Sequence, residues 1–444
     1  MTTPSHTTVS NIAPSPAERS SPVHTEAADY DVVVVGASFA GLSFAGGAAA
    51  RGLRTLVLER DAEVGRVVRT TGVLFSDVLD VLDVPERYLM NAVRRIRLRP
   101  PNHEPIEISA AAHRFYMADV TGLLRWMAEQ AQAHGAELRA GAPFLDAAPE
   151  AGGQRLRVTF GADGARAPGN SVTARYLIGA DGARSRVAQV MGLDTNTHLL
   201  AGAEWLVEGA TIPRDTFHLV MDHALAPGYC VWLAPHGDEL AAFGVAGHLR
   251  AFSPSETLRI AQGAFADVAD LSGLRVVERK AGVIPVGGRQ KRVHRDDARG
   301  RALLLGDAAG LCGAATGGGI YPALISGRLA AHAVANAVLN DVPGAVPAYL
   351  ANLSQAGRLG HYLKIEDWLR WVLDRMASNA DLSVFYGLLG TAEGRAVLQR
   401  TLLETPIVNM DSGFFGMLRS LLSHHPRVYG SVFRGALRRV TARA

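Results

Sequence analysis

The stretch Asp31-Val-Val-Val-Val-Gly36-Ala-Ser38-Phe-Ala-Gly41 sets a run of β-branched residues directly before a glycine and a small-residue helical pattern. A second apolar run follows, Leu53-Arg-Thr-Leu-Val-Leu58, and ends in Glu59. That order describes a βαβ unit with an acid closing its second strand. A chain that leaves a strand this abruptly needs a glycine at the turn. It also needs a small residue where backbone approaches a pyrophosphate, and a glycine where helix meets strand. Gly36, Ser38 and Gly41 fill those three places. The orphan N–H groups of the helix start then face phosphate, and Glu59, roughly 20 residues on, can accept from ribose hydroxyls. The unit predicts a dinucleotide site near the start of the chain.

With 444 residues the chain exceeds one ordinary core, and two or three domains are expected. A hydrophobic content of 48% and a charged content of 20% are those of a globular protein, and a net charge of +3 spread along the chain calls for no nucleic-acid partner. The basic charge is almost all arginine, the lysines being Lys280, Lys291 and Lys364. Cys230 and Cys312 cannot build a disulfide framework and show no metal-ligand spacing, so no metal is expected and a reducing cytoplasm fits. Residues 1–28, rich in Ser, Thr and Pro, read as a disordered leader without the apolar stretch of a signal peptide. No uninterrupted apolar run reaches the roughly 18 residues needed to span a bilayer, which leaves attachment to a membrane surface open.

After Glu59 a loop from Arg60 to Gly72 carries Arg60, Arg66 and Arg69, either reaching phosphates or forming a solvated linker, and an amphipathic helix is predicted near 73–82. Helical spacing runs from 118 to 135, followed by strand-like runs at 137–144, 154–160 and 171–178, the first two separated by a linker at 147–153. Alternation from 204 to 284 predicts a mostly antiparallel sheet, and from 345 the pattern is helical apart from a break at 405–416. The expected organisation is a leader (1–28), a nucleotide-binding domain in three parts (29–85, 118–195, 285–344), substrate sheet segments (86–117, 196–284) and a helical region (345–444). In that last region Trp368, Trp371, Phe414, Phe415, Leu418, Leu421 and Leu422 precede Arg427, Arg434, Arg438 and Arg439. This composition suits either a helical cap on a cavity or a surface helix on anionic lipid.

Two later motifs repeat the strand-then-acid arrangement: Tyr176-Leu-Ile-Gly-Ala-Asp181-Gly182, and Ala302-Leu-Leu-Leu-Gly306-Asp307 followed by Gly317-Gly318-Gly319-Ile320. An Asp at a strand end can bond a polyol hydroxyl, and glycines opening a helix can receive a pyrophosphate or a ring edge; each is also compatible with a plain turn.

The ordered trio, Gly36 to Gly41 with Glu59, Asp181-Gly182, and Gly306-Asp307, resembles the para-hydroxybenzoate hydroxylase-like flavoproteins. Thr316-Gly-Gly-Gly-Ile320, with Gly310 after Gly306-Asp-Ala-Ala, resembles the geranylgeranyl reductase branch of that group. The resemblance implies an α/β fold: a Rossmann-type FAD-binding domain, an inserted mostly antiparallel substrate sheet and a C-terminal helical region. It also implies that Glu59 holds the adenosine ribose, Asp307 the ribityl chain, and Gly317 to Ile320 the pyrophosphate and isoalloxazine edge, with Asp181 and Gly182 touching FAD and a transient NAD(P)H. Arg60 and Arg69 join this set, and Arg125 stands in for an FAD-contacting arginine because Asp119 is followed by Val120. The branch's substrate segment, Tyr-x-Trp-x-Phe-Pro, falls on Cys230-Val-Trp232-Leu-Ala234-Pro235, with Tyr229 one residue early. Tyr229, Cys230, Trp232 and Tyr321 are therefore the substrate-site candidates. Flavin halogenases carry an early catalytic lysine, and the first lysine here is Lys280.

In such a protein the flavin carries the redox chemistry and the chain supplies position, electrostatics and exclusion of water. Two outcomes follow from a reduced flavin beside an apolar pocket: reduction of a carbon–carbon double bond in an isoprenoid or polyketide-like metabolite, or oxygen insertion. A non-catalytic flavin-binding redox protein is the third reading. Cys230 is expected to be a packed thiol, with water or Tyr321 as proton source.

Overall fold

The computed structural model describes residues 29–400 apart from 111–114, 151–153, 163, 165–168, 249–252, 354–358 and 377. The β-branched run forms the strand Tyr30–Val35, all but its first residue buried. It pairs in parallel with Thr55–Leu58 on one side and with Asn170–Gly179 on the other. Gly300–Leu304 and Glu137–Arg139 extend the parallel array outward, and His294–Asp297 closes one edge antiparallel. The helices Phe39–Ala49 and Ile320–Leu339 meet beside this sheet at very short range. A Cβ on Gly327 would stand 2.5 Å from the Ala40 carbonyl oxygen, and one on Gly47 would stand 3.0 Å from Ala331 Cβ. Small residues along both helices make that approach sterically feasible.

The second sheet has seven strands in the order Arg275–Pro285, Leu199–Glu208, Leu240–His248, Val231–His236, Thr216–Val220, Arg95–Arg99 and Ile106–Ser109. All neighbours are antiparallel except Thr216–Val220 with Arg95–Arg99. Because side chains alternate along a strand, the sheet has two distinct faces. One buries Trp205, Leu233 and Phe243 against Leu258 and Phe265 of the 254–265 helical insertion. The other carries Leu206, Cys230, Trp232 and Ala234 toward the helices that begin at residue 359.

Three local expectations change. Val73–Phe75 is a strand paired with Phe115–Ala118, followed by a 3₁₀ turn at Ser76–Asp80, where a helix over 73–82 was expected. Edge-to-face packing of Phe75 on Phe115, 4.8 Å between centroids, rewards the extended form. The 137–144 run divides into Glu137–Arg139 and Phe144–Pro149, and the latter pairs antiparallel with Leu156–Phe160 through part of the expected linker. Pro149 is tolerated because it ends a strand at a sheet edge.

Among the described residues four helices follow the long Ile320–Leu339: Ala345–Leu353, Leu359–Leu373, Asn379–Leu389 and Ala392–Gln399. The leader and the segment with Phe414, Phe415, Leu418, Leu421, Leu422 and its four arginines lie outside the described residues. Among the described residues no helix is long and apolar enough to cross a membrane, and no cluster of three metal-ligating side chains occurs.

Candidate flavin site and adjoining cavity

A cavity of about 1620 Å³ runs from the end of the first strand, past the glycine run, to the face of the seven-stranded sheet and the last helices. Its nucleotide end is made of backbone. Gly36 has φ +102°, and a Cβ there would lie 2.5 Å from the Ala180 carbonyl oxygen. Gly41 does not line the cavity: a side chain there would collide with the Gly36 carbonyl, so its smallness lets the helix sit on the turn. Ser38 begins the helix at the cavity wall, its hydroxyl making no capping bond. The Glu59 carboxylate accepts from Ala37 N at 2.8 Å and from Asp61 N at 2.9 Å, tying the glycine turn to the second strand while lining the cavity.

Arg60 and Arg69 also line the wall; burial and the Arg60 charge lower the Arg69 pKa, and Asp61 lies 3.8 Å from its guanidinium. Arg125 is a correction. It lies outside the wall, donating to Val64 O at 3.3 Å and to Glu63 at 3.1 Å. On the helix Val120–Ala133 it is Val120 and Leu124 that face the cavity, and the next residue is turned by about 100°.

Asp181 and Gly182 line the cavity, but the Asp181 carboxylate is already engaged. It accepts from Ser185 Oγ at 2.6 Å and from the N–H groups of Arg186 (2.6 Å) and Val187 (3.0 Å), so it fastens the start of the helix Arg186–Val190. Burial raises its pKa against those bonds. Gly306 is a packing residue outside the wall, where a Cβ would meet Ala40 Cβ at 2.9 Å.

Asp307 differs from the other acids. It lines the cavity, no donor among the described residues reaches its carboxylate, and burial pushes its pKa up to about 6. An unpartnered, half-buried carboxylate on a cavity wall is costly unless a ligand donor satisfies it. The unfolded reference value is 3.8, so ionisation of Asp307 destabilises the empty fold progressively as pH rises from about 4 through about 6. Asp307→Asn should therefore raise the melting temperature of flavin-stripped protein at pH 8 and leave it nearly unchanged at pH 4. Equal shifts at both pH values would show that the carboxylate carries no such penalty.

Gly317, Gly318, Gly319 and Ile320 line the cavity and open the helix Ile320–Leu339. Gly317 has φ +72° and leaves 2.8 Å between a hypothetical Cβ and the Tyr229 hydroxyl, which donates to Thr316 O. From behind, Glu366 accepts from Ala315 N (2.9 Å), Thr316 N (2.8 Å) and Thr316 Oγ1 (3.1 Å). Glu366 is buried, and burial raises its pKa while those three bonds oppose the shift. Sequence reasoning missed it, because the helix Leu359–Leu373 also carries Lys364, Asp367 and Arg370 and its acid does not stand out.

Beyond the glycine run the wall becomes apolar, with Cys230, Trp232, Leu382, Phe385, Leu389 and Val397. Burial pushes the Cys230 thiol up to about 12, so it stays protonated. Trp232 Nε1 donates to Glu204 at 3.0 Å. Tyr321 is the second correction. It is absent from the wall and buried in the nucleotide-domain core, where burial and the Asp77 charge push its pKa up to about 12. Glu204 and Lys280, which sequence reasoning did not select, do line the cavity.

The backbone cradle at Gly36, the unpartnered Asp307 and the glycine run all fit a dinucleotide that ends in a polyol and a ring system. The family model for the FAD binding domain matches residues 29–324. The chain belongs to that family. FAD is its cofactor. Within this FAD-binding family, the chain is 28% identical over 326 residues to digeranylgeranylglycerophospholipid reductase 2 of Methanopyrus kandleri, covering 70% of this chain and 78% of that one. It is 28% identical over 366 residues to a digeranylgeranylglycerophospholipid reductase of Methanocella arvoryzae, covering 79% and 89%. The fold is shared with a geranylgeranyl bacteriochlorophyll reductase-like protein of Thermoplasma acidophilum at TM-score 0.73 and 21% identity, covering 91% and 99%.

Proposed function

We propose that this flavoprotein is an oxidoreductase that uses electrons from NAD(P)H to reduce a carbon–carbon double bond in an apolar, isoprenoid-like metabolite. The observation that carries the reading is the continuity of the cavity, which passes from the FAD cradle directly into an end walled by aliphatic and aromatic side chains. When bound, FAD supplies the hydride chemistry. The chain's own residues position and shield. Gly36, Glu59, Arg60, Arg69 and Asp307 serve the cofactor, while Tyr229 and Glu366 fix the glycine run. The helices Asn379–Leu389 and Ala392–Gln399 keep water from the apolar end. With Tyr321 outside the wall, water serves as the proton source, while Cys230 packs the wall and Trp232 meets the substrate. NAD(P)H visits this site instead of residing in a domain of its own. A reducing cytoplasmic setting suits the buried free thiols Cys230 and Cys312.

The deciding experiment photoreduces the bound flavin without oxygen and adds geranylgeraniol. A saturated product before air is admitted is the expected result. Product that appears only after air enters, and contains new oxygen, would replace this reading with oxygenation.

A further inference from the structure

One rung of the seven-stranded sheet crosses the cavity floor from an apolar to a charged end. Register places Leu98 beside Leu219, Leu219 beside Trp232, Trp232 beside Gly244, Gly244 beside Glu204, and Glu204 beside Lys280. The indole of Trp232 lies over Gly244, where any side chain would collide with it, and so reaches Glu204. Leu98, Leu219, Trp232, Glu204 and Lys280 all line the cavity.

A charged pair in this position needs a reason, because two aliphatic residues would close the floor with no desolvation cost. The side chains of Lys280 and Glu204 are 8% and 5% exposed. Their Nζ and Oε1 atoms stand 3.4 Å apart, and among the described residues Oε1 finds no hydrogen-bond donor. Among the described residues no acceptor takes a hydrogen bond from the Lys280 ammonium, which has three N–H donors. A buried donor group left open on a cavity wall is a place for a ligand acceptor. Glu204 balances the ammonium's charge, so the pair favours a neutral oxygen over an anion, which would meet the carboxylate close behind.

We propose that Lys280, paired with the Glu204 that Trp232 anchors, binds a hydroxyl or carbonyl oxygen of the substrate. The molecule turned over is then an oxygenated apolar chain, its oxygen at the Lys280 end of the rung and its hydrocarbon over Trp232, Leu219 and Leu98. This assignment rests on the proposed function and names the substrate class within it.

The test titrates FAD-loaded protein with geranylgeraniol and with the C20 hydrocarbon of the same unsaturation, reading the flavin absorbance shift. Wild type should bind the alcohol about tenfold or more tightly than the hydrocarbon, the size of one charge-assisted hydrogen bond. Lys280→Met should erase that preference with hydrocarbon affinity kept. Since Lys280→Met leaves Glu204 buried without its counter-charge, a Glu204→Gln, Lys280→Met double variant provides the same readout in a neutral floor. Equal affinities in wild type, or a preference that survives in the double variant, overturn the assignment and leave the function standing. No flavin shift with either ligand in wild type overturns both.

Discussion

Gly36→Val should purify as a folded, colourless protein. The native residue holds φ +102° with the Ala180 carbonyl oxygen 2.5 Å from where a Cβ would stand, so valine must either strain the backbone or push the following helix start out of place. A strained non-glycine position costs about 1–3 kcal/mol, and displacement of the N–H groups that face phosphate adds to it. Affinity for FAD should fall by two orders of magnitude or more, since each 1.4 kcal/mol is about tenfold. The flavin absorbance of the purified variant checks this, with circular dichroism confirming the fold. Stoichiometric FAD in a folded Gly36→Val protein would sink the cradle assignment.

A comparable loss is expected at Glu366, behind the glycine run. Glu366→Leu deprives Ala315 N, Thr316 N and Thr316 Oγ1 of their shared acceptor, a buried carboxylate that holds a half-buried and an exposed residue. Hydrogen bonds to a charged group contribute about 1.5–3 kcal/mol each, so the segment leading into Gly317 should loosen and FAD affinity should drop roughly a hundredfold. Glu366→Gln keeps an acceptor oxygen and should retain most of the binding. Limited proteolysis near residue 316, with and without FAD, follows the loosening directly. If the Leu and Gln variants behave alike, the carboxylate is not the anchor of the glycine run.

The nucleotide end was legible because its demands are local. A strand that must turn at once leaves β-branched residues beside Gly36, and a second strand ends in Glu59 within the same short segment. Local reasoning failed where a single rotation or a distant neighbour decides the role. Arg125 sits one residue from the cavity-facing Leu124, and Tyr321 follows the cavity-facing Ile320, yet both point elsewhere. Gly41 and Gly306 have the expected residue type for packing reasons and not for contact with a ligand. Glu366 acts on Thr316 across 50 positions of chain, and the Glu204–Lys280 pair emerges only from strand register. Neither relation leaves a periodic trace in the sequence.

The parallel sheet has a further consequence for the life of the chain. Val33 waits for Leu177 to be made before it gains that neighbour, and Leu177 in turn waits for Ala302. On the ribosome, the buried end Leu177–Gly179 of the strand Asn170–Gly179 therefore spends the synthesis of its successor with one edge open, although Leu156–Phe160 already covers that edge over residues 170–174. The open end invites pairing with the wrong partner and slows productive folding. The proposed cofactor seat draws on residues 36, 59, 307 and 317, which line one cavity. A chain interrupted before residue 317 has no complete seat, so flavin capture waits until about two thirds or more of the polypeptide has been made.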